Sequence, residues 1–262
     1  MELRRRSIVA VVGALVLGAA GAAVAQPAGQ GSAAQAMPKR WGVGISYYQQ
    51  SQPYGIDSLR LSGLPPGVAG LIDPKVIDAA NFTETTHVTF DYWLFPFLDL
   101  QLLAGTITSN TDLGFSQVNI GLPLQDLEVS SKGNVFGGGL TLVYGYESFF
   151  GTFTAQYTSA DLDQVGSSVK ALVLTPKVGM RLGAKAAAYV GAMYQEPEEK
   201  HSGTYLVPPF PAPLDYSVTL TNADKWGYLA GVNYGFTEHW VATIEGGFGE
   251  RTSLLAHLDY RW

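Results

Sequence analysis

From about residue 41 to the last residue, apolar and polar positions alternate with a period of two, in segments of roughly ten residues. The final segment is the clearest: Leu254, Ala256, Leu258, Tyr260 and Trp262 fall on one face, His257, Asp259 and Arg261 on the other, and only Leu255 breaks the polar row. Before it, Trp240, Ala242, Ile244, Gly246 and Phe248 form one row against Val241, Thr243, Glu245 and Gly247, with Gly249 to Arg251 as the linking turn. Trp226, Tyr228, Ala230, Val232, Tyr234 and Phe236 repeat the pattern, and glycines opposite them leave room for larger neighbours. Further strands are predicted near 41–50, 82–94, 98–107, 133–146, 149–158, 169–181 and 185–195.

That makes an all-β chain of about ten strands, an even number, each long enough to cross the apolar layer of a bilayer when tilted by about 45°. The links alternate in length. Short ones fall at 95–97, 147–148, 182–184 and 237–238, and long ones at about 51–81, 108–132, 159–168 and 196–224. This is the spacing of an antiparallel up-and-down transmembrane β-barrel with short turns at one end and long loops at the other. Segments 115–129 and 216–222 are further strand candidates, so eight and twelve strands are the alternatives. Aromatic residues, among them Trp41, Tyr92, Phe95, Phe97, Tyr144, Phe149, Trp240 and Trp262, gather at the short-turn end as one interfacial girdle.

Composition narrows the function classes. With 47% hydrophobic and 15% charged residues the chain is ordered enough for one large domain, and 31 glycines with 12% aromatics suit a glycine-kinked, aromatic-girdled sheet. Cysteine is absent, which removes disulfides, thiol nucleophiles and thiolate metal sites. The formal charge of −6 excludes a basic nucleic-acid footprint.

The first residues read as an address. Arg4, Arg5 and Arg6 precede an uncharged stretch from Ser7 to Ala25 that closes on Ala23-Val24-Ala25, so residues 1–25 are expected to be a signal peptide. Residues 26–39 lack a hydrophobic period and read as a flexible leader, and 40–262 as the barrel.

The closing strand, Leu254-Leu255-Ala256-His257-Leu258-Asp259-Tyr260-Arg261-Trp262, resembles the terminal assembly signal of Gram-negative outer-membrane β-barrel proteins. The stretches Asp91-Tyr92-Trp93-Leu94-Phe95-Pro96-Phe97-Leu98-Asp99 and Gly246-Gly247-Phe248-Gly249-Glu250-Arg251 are similar to motifs of small porin-like members. The resemblance implies an outer-membrane location, contact with outer-membrane lipids and insertion by the barrel-assembly machinery.

If the apolar rows face lipid, the opposite parity points Asp91, Asp99, Lys177, Arg181, Glu245, His257, Asp259 and Arg261 into the lumen. They would line a selective channel or form an ion-pair network that plugs a narrow barrel. Asp91 and Asp99 should approach each other across the Phe95-Pro96-Phe97 turn, with Lys177 and Arg181 as candidate counter-charges. The four histidines lack metal or hydrolase spacing. His201, with Glu198, Glu199 and Ser202, is expected in a solvated loop. The Pro-rich segment 207–213 should be extended, and Leu61, Leu64, Val68, Leu71 and Ile72 suit a folded-back lid. The expectation is a porin-like protein of passive transport or structural role, with no cofactor and no enzymatic activity; the alternative is a surface receptor or adhesin acting through long loops.

Overall fold

The computed structural model describes residues 39–63, 77–114, 126–163, 167–205 and 214–262. They form one antiparallel sheet of β1 (Trp41–Ser62), β2 (Asp78–Phe95), β3 (Leu98–Gly114), β4 (Leu127–Tyr146), β5 (Phe149–Leu162), β6 (Ser168–Leu182), β7 (Ala186–Tyr205), β8 (Leu214–Asn222), β9 (Trp226–Gly235), β10 (Trp240–Phe248) and β11 (Thr252–Arg261). The sheet closes on itself, because β1 pairs with β11 from Gly42↔Arg261 to Ser51↔Thr252. At this proximal end the Trp262 amide donates to the Trp41 carbonyl at 3.1 Å, so the two ends of the described wall are tied together.

Strand length is uneven, and that sets the shape. β9, β10 and β11 have 9 or 10 residues, whereas β1 and β7 have 22 and 20. The β10–β11 hairpin turns at 249–251, where Gly249 adopts φ 114°, and stops halfway up the wall. Above it β8 fills the gap, pairing with β7 from Glu199↔Leu220 and with β1 from Tyr54↔Asn222. β8 and β9 are thus two halves of one descending strand, offset at 223–225, and β7 pairs with both. The barrel has ten strands around its proximal part and eight around its distal part. A β-bulge between Ile56 and Ser58 lets Ile56 and Leu59 both pack inward at the distal end.

The outer surface divides at the same height. On the proximal part the outward rows are apolar and exposed, as with Ile45, Val88, Leu102, Val178, Val190 and Ile244. Aromatic rings bound this band at both edges: Trp41, Phe97, Tyr144 and Trp240 proximally, and Tyr47, Tyr157, Tyr194, Trp226 and Phe248 distally. The sequence suggested one girdle; the second is less dense. Beyond it the outward positions become charged, with Lys132, Asp161, Lys170, Glu196, Glu198 and Lys200 all exposed.

The ten proximal strands lie where the alternation placed them. The expected long links do not, because most of 51–62, 78–81, 108–114, 127–132 and 196–205 continues the wall. Their inward positions mix polar residues with apolar ones such as Leu113 and Val129, and many outward ones are polar, so they lose the contrast that marks a strand. Segment 216–222, a candidate strand, is most of β8. The signal peptide, nearly all of the leader, the side chain of Leu61, residues Leu64, Val68, Leu71 and Ile72, and the Pro-rich segment 207–213 lie outside the described residues.

Candidate functional site: a layered lumen

The inward face of β1 starts with three small residues, Gly42, Gly44 and Ser46, before the large Tyr48. Each stands between one β2 and one β11 residue: Gly42 between Asp91 and Arg261, Gly44 between Thr89 and Asp259, Ser46 between His87 and His257. A Cβ at Gly42 would collide with the Asp91 carboxylate, and one at Gly44 with the His257 ring and the Thr89 hydroxyl. Small residues on the middle strand therefore let side chains of its two neighbours meet above it.

Three polar layers result. In the most proximal, Arg261 lies 2.7 Å from Asp91 and 2.6 Å from Asp259. Its guanidinium also sits 5.9 Å from the centre of the buried Trp93 ring, a cation–π contact at the floor of the lumen. Asp99 lies opposite Trp93 and accepts a hydrogen bond from Gln101 at 2.9 Å. The next layer holds Lys177, whose ammonium is 2.5 Å from Glu245; Tyr189 donates to the same carboxylate at 2.9 Å and Lys177 lies over its ring. Gly231 makes room for the Tyr189 hydroxyl.

Between this and the distal layer, Tyr48, Val173, Met193, Leu229 and Leu255 form an apolar belt. Leu255, the exception in the last strand's polar row, belongs to that belt. Above it, Arg251 at the tip of the β10–β11 hairpin turns inward, bonds to Gln195 and donates to the carbonyls of Met193 and Lys225 at 3.2 Å each, locking the hairpin beneath β8. The distal layer has Glu199 at its centre. Tyr54 donates to it at 2.9 Å, and His201 Nε2 lies 2.5 Å away. Burial and the Glu199 carboxylate push the Tyr54 phenol far above its usual range. A second apolar cluster, with Ile77, Leu113, Val129, Tyr216, Val218 and Leu220, packs around this end of the lumen.

Of the eight residues assigned to the lumen by parity, seven are inward and buried, and Asp91, Asp99, Lys177, Glu245, His257, Asp259 and Arg261 are all 8% exposed or less. Arg181 has the inward parity but sits half-buried at the proximal rim, where it donates to the Glu147 carbonyl at 3.4 Å. The counter-charge expected for Asp91 was Lys177 or Arg181; it is Arg261, because barrel closure brings the last strand beside the first hairpin. His201 and Glu199, expected in a solvated loop, are buried in the wall of the distal barrel. Arg251 was read as a turn residue, and the sequence carries no signal for its inward turn. The small–x–small–x–small run Gly42-Val43-Gly44-Ile45-Ser46 is the signal that would have located the cross-strand contacts. Among the described residues, no three His, Cys, Asp or Glu side chains converge as a metal centre.

No family model and no curated protein matches the chain. Several solved structures are similar in outline. The outer membrane protein OprG of Pseudomonas aeruginosa is 13% identical with a TM-score of 0.46, over 86% of this chain and 97% of that one. The transport unit of the autotransporter AIDA-I of Escherichia coli is 8% identical at TM-score 0.40, over 86% and 90%. The toluene transporter TbuX of Ralstonia pickettii is 10% identical at TM-score 0.36, over 86% and 90%. None superposes closely enough to lend this chain a role, so the functional reading rests on its own side chains.

Proposed function

We propose that this chain is an outer-membrane β-barrel of a Gram-negative bacterium whose resting lumen is closed, a structural or gated passive role rather than that of an open diffusion pore. The membrane part of the reading rests on the exposed apolar band with its aromatic edges. The short-turn end then faces the periplasm, the charged distal barrel stands above the outer leaflet, and residues 1–25 serve as the export signal. The observation that carries the closed lumen is burial: inward polar side chains in all three layers, from Asp99 through Lys177 to Glu199, are shut off from solvent. A water-filled channel leaves its lining wet. The test is conductance of the refolded chain in a planar bilayer. The proposal expects no steady openings from correctly folded protein, and step-like openings that scale with salt would overturn it.

A second reading, a surface receptor, is favoured by one feature. A lipid-spanning barrel does not need β8, yet β8 closes a distal ring with an apolar core of its own. Such a ring is a rigid pedestal for the segments that leave its distal edge. Deleting 206–213, and not the wall residues around it, should abolish ligand binding if this reading holds.

A further inference from the structure

Two of the four histidines have their Nε2 or Nδ1 engaged by strong partners. His201 Nε2 lies on Glu199, and His239 Nδ1 donates to the Arg261 carbonyl at 2.6 Å while Lys39 lies beside its ring. The other two are placed differently. His87 on β2 and His257 on β11 flank Ser46 on the intervening β1 at one level, both buried, and three of their four ring nitrogens have no hydrogen-bond partner: both of His87 and Nε2 of His257. The fourth, His257 Nδ1, is 2.7 Å from the Ser46 hydroxyl. In the tautomer whose Nδ1–H donates to the Ser46 hydroxyl, Nε2 keeps its lone pair, the arrangement in which an imidazole is held by a neighbour so that its other nitrogen can bind a metal.

The position of the ring completes the geometry. An added Cβ at Gly44 would strike both the His257 ring and the Thr89 hydroxyl, so His257 reaches over Gly44 toward β2, the strand that carries His87 and Thr89 on the same face.

We infer that His87 and His257 form a binding site for one divalent transition-metal ion of the imidazole-preferring kind, with the Thr89 hydroxyl and water in the remaining positions. Unpartnered buried nitrogens are costly to leave so, and an ion bound at about 2.0–2.1 Å from nitrogen needs less space than an organic ligand. No third histidine or carboxylate converges there among the described residues, so side chains of those types fill two of the ion's positions. The inference does not depend on whether the lumen conducts.

The test is calorimetric titration of the refolded full chain in detergent with Zn²⁺ and Ni²⁺, and with Ca²⁺ as the oxygen-preferring control. One ion per chain should bind for the first two and none for Ca²⁺. His87→Gln and His257→Gln should each weaken binding at least about tenfold, Ser46→Ala should weaken it less, and His239→Gln should leave it unchanged. Should the histidine variants misfold, ring resonances of the unaltered chain decide: Zn²⁺ must shift those of His87 and His257 and leave His201 and His239 in place. Absence of saturable binding, equal binding of Ca²⁺, or shifts confined to His201 or His239 would overturn the site.

Discussion

The proximal and distal halves of this barrel share strands β1–β7 and differ in character. On β7, Val190 and Tyr194 face outward with Tyr189 and Met193 inside, and only a few residues later Glu196, Glu198 and Lys200 face outward while Glu199 and His201 lie inside. Proximally the exterior is apolar and the interior carries ion pairs. Distally the exterior is charged and apolar residues such as Leu113, Val218 and Leu220 are buried. Antiparallel pairing continues across that boundary even where β8 replaces β9 and β11 as the neighbour, so the medium outside the wall decides which side chains each parity carries. Strand count follows the same boundary: ten strands enclose the ion-paired lumen, and eight suffice where a small apolar core fills the interior.

The comparison breaks most severely at the proximal ion pair. Glu245→Ala leaves Lys177 charged, buried and unpaired, and should lose about 3–5 kcal/mol in urea unfolding of the micelle-bound chain. Replacing both residues with apolar ones of similar volume should restore most of it, and a double variant as unstable as the single one would show that the pair is not what matters. The next effect sharpens the contrast along one strand. Val190→Lys places a charge on the apolar band and should cost about 2–4 kcal/mol, whereas Thr204→Lys, exposed on the distal part of β7, should change stability by less than about 0.5 kcal/mol. Equal costs would erase the distinction between the halves.

Smaller again is the space on β1. Gly42→Val pushes the Asp91 carboxylate away from Arg261 and should cost about 1–3 kcal/mol by overpacking, read as a lowered unfolding midpoint; an unchanged midpoint would mean the pair does not need the glycine. The smallest effect is distal and electrostatic. Asp112 faces Glu128 across the β3–β4 pair, and burial, then Glu128 and Asp126, raise its carboxyl above the usual range. A raised pKa in the folded chain means that ionised Asp112 destabilises it and that the penalty fades as pH falls through that pKa. Asp112→Asn should therefore stabilise by about 0.2–1 kcal/mol at pH 7, with the gain vanishing once the carboxyl is protonated in both states. A gain that persists in acid would point to packing instead.

Much of the proximal half was legible in the sequence because lipid on one side and ion pairs on the other give neighbouring residues opposite polarity. Rows such as Leu254 to Trp262 carry that contrast at every position but Leu255, and parity alone sent Lys177, Glu245, Asp259 and Arg261 inward. Which of them would pair was not legible, since Asp91 and Arg261 are 170 positions apart and meet only because the sheet closes. The distal half was hidden for a related reason. In Gln195-Glu196-Pro197-Glu198-Glu199-Lys200-His201 the outward residues are polar for water and the inward ones polar for the Gln195 and Glu199 networks, so the run resembles a loop. The offset at 223–225 and the bulge after Ile56 disguise β8 and the end of β1 further.

The chain has no cysteine, so single cysteines can be introduced one at a time along the outward row of β7 and tagged with a spin label. In lipid vesicles, labels at 188, 190, 192 and 194 should be relaxed by oxygen dissolved in the bilayer, and labels at 196, 198, 200 and 204 by a water-soluble paramagnet. The switch should fall between 194 and 196. A profile that stays lipid-facing through 204, or one that is water-facing from 188 onward, would contradict the division of the barrel into a membrane-spanning ten-strand part and a protruding eight-strand part.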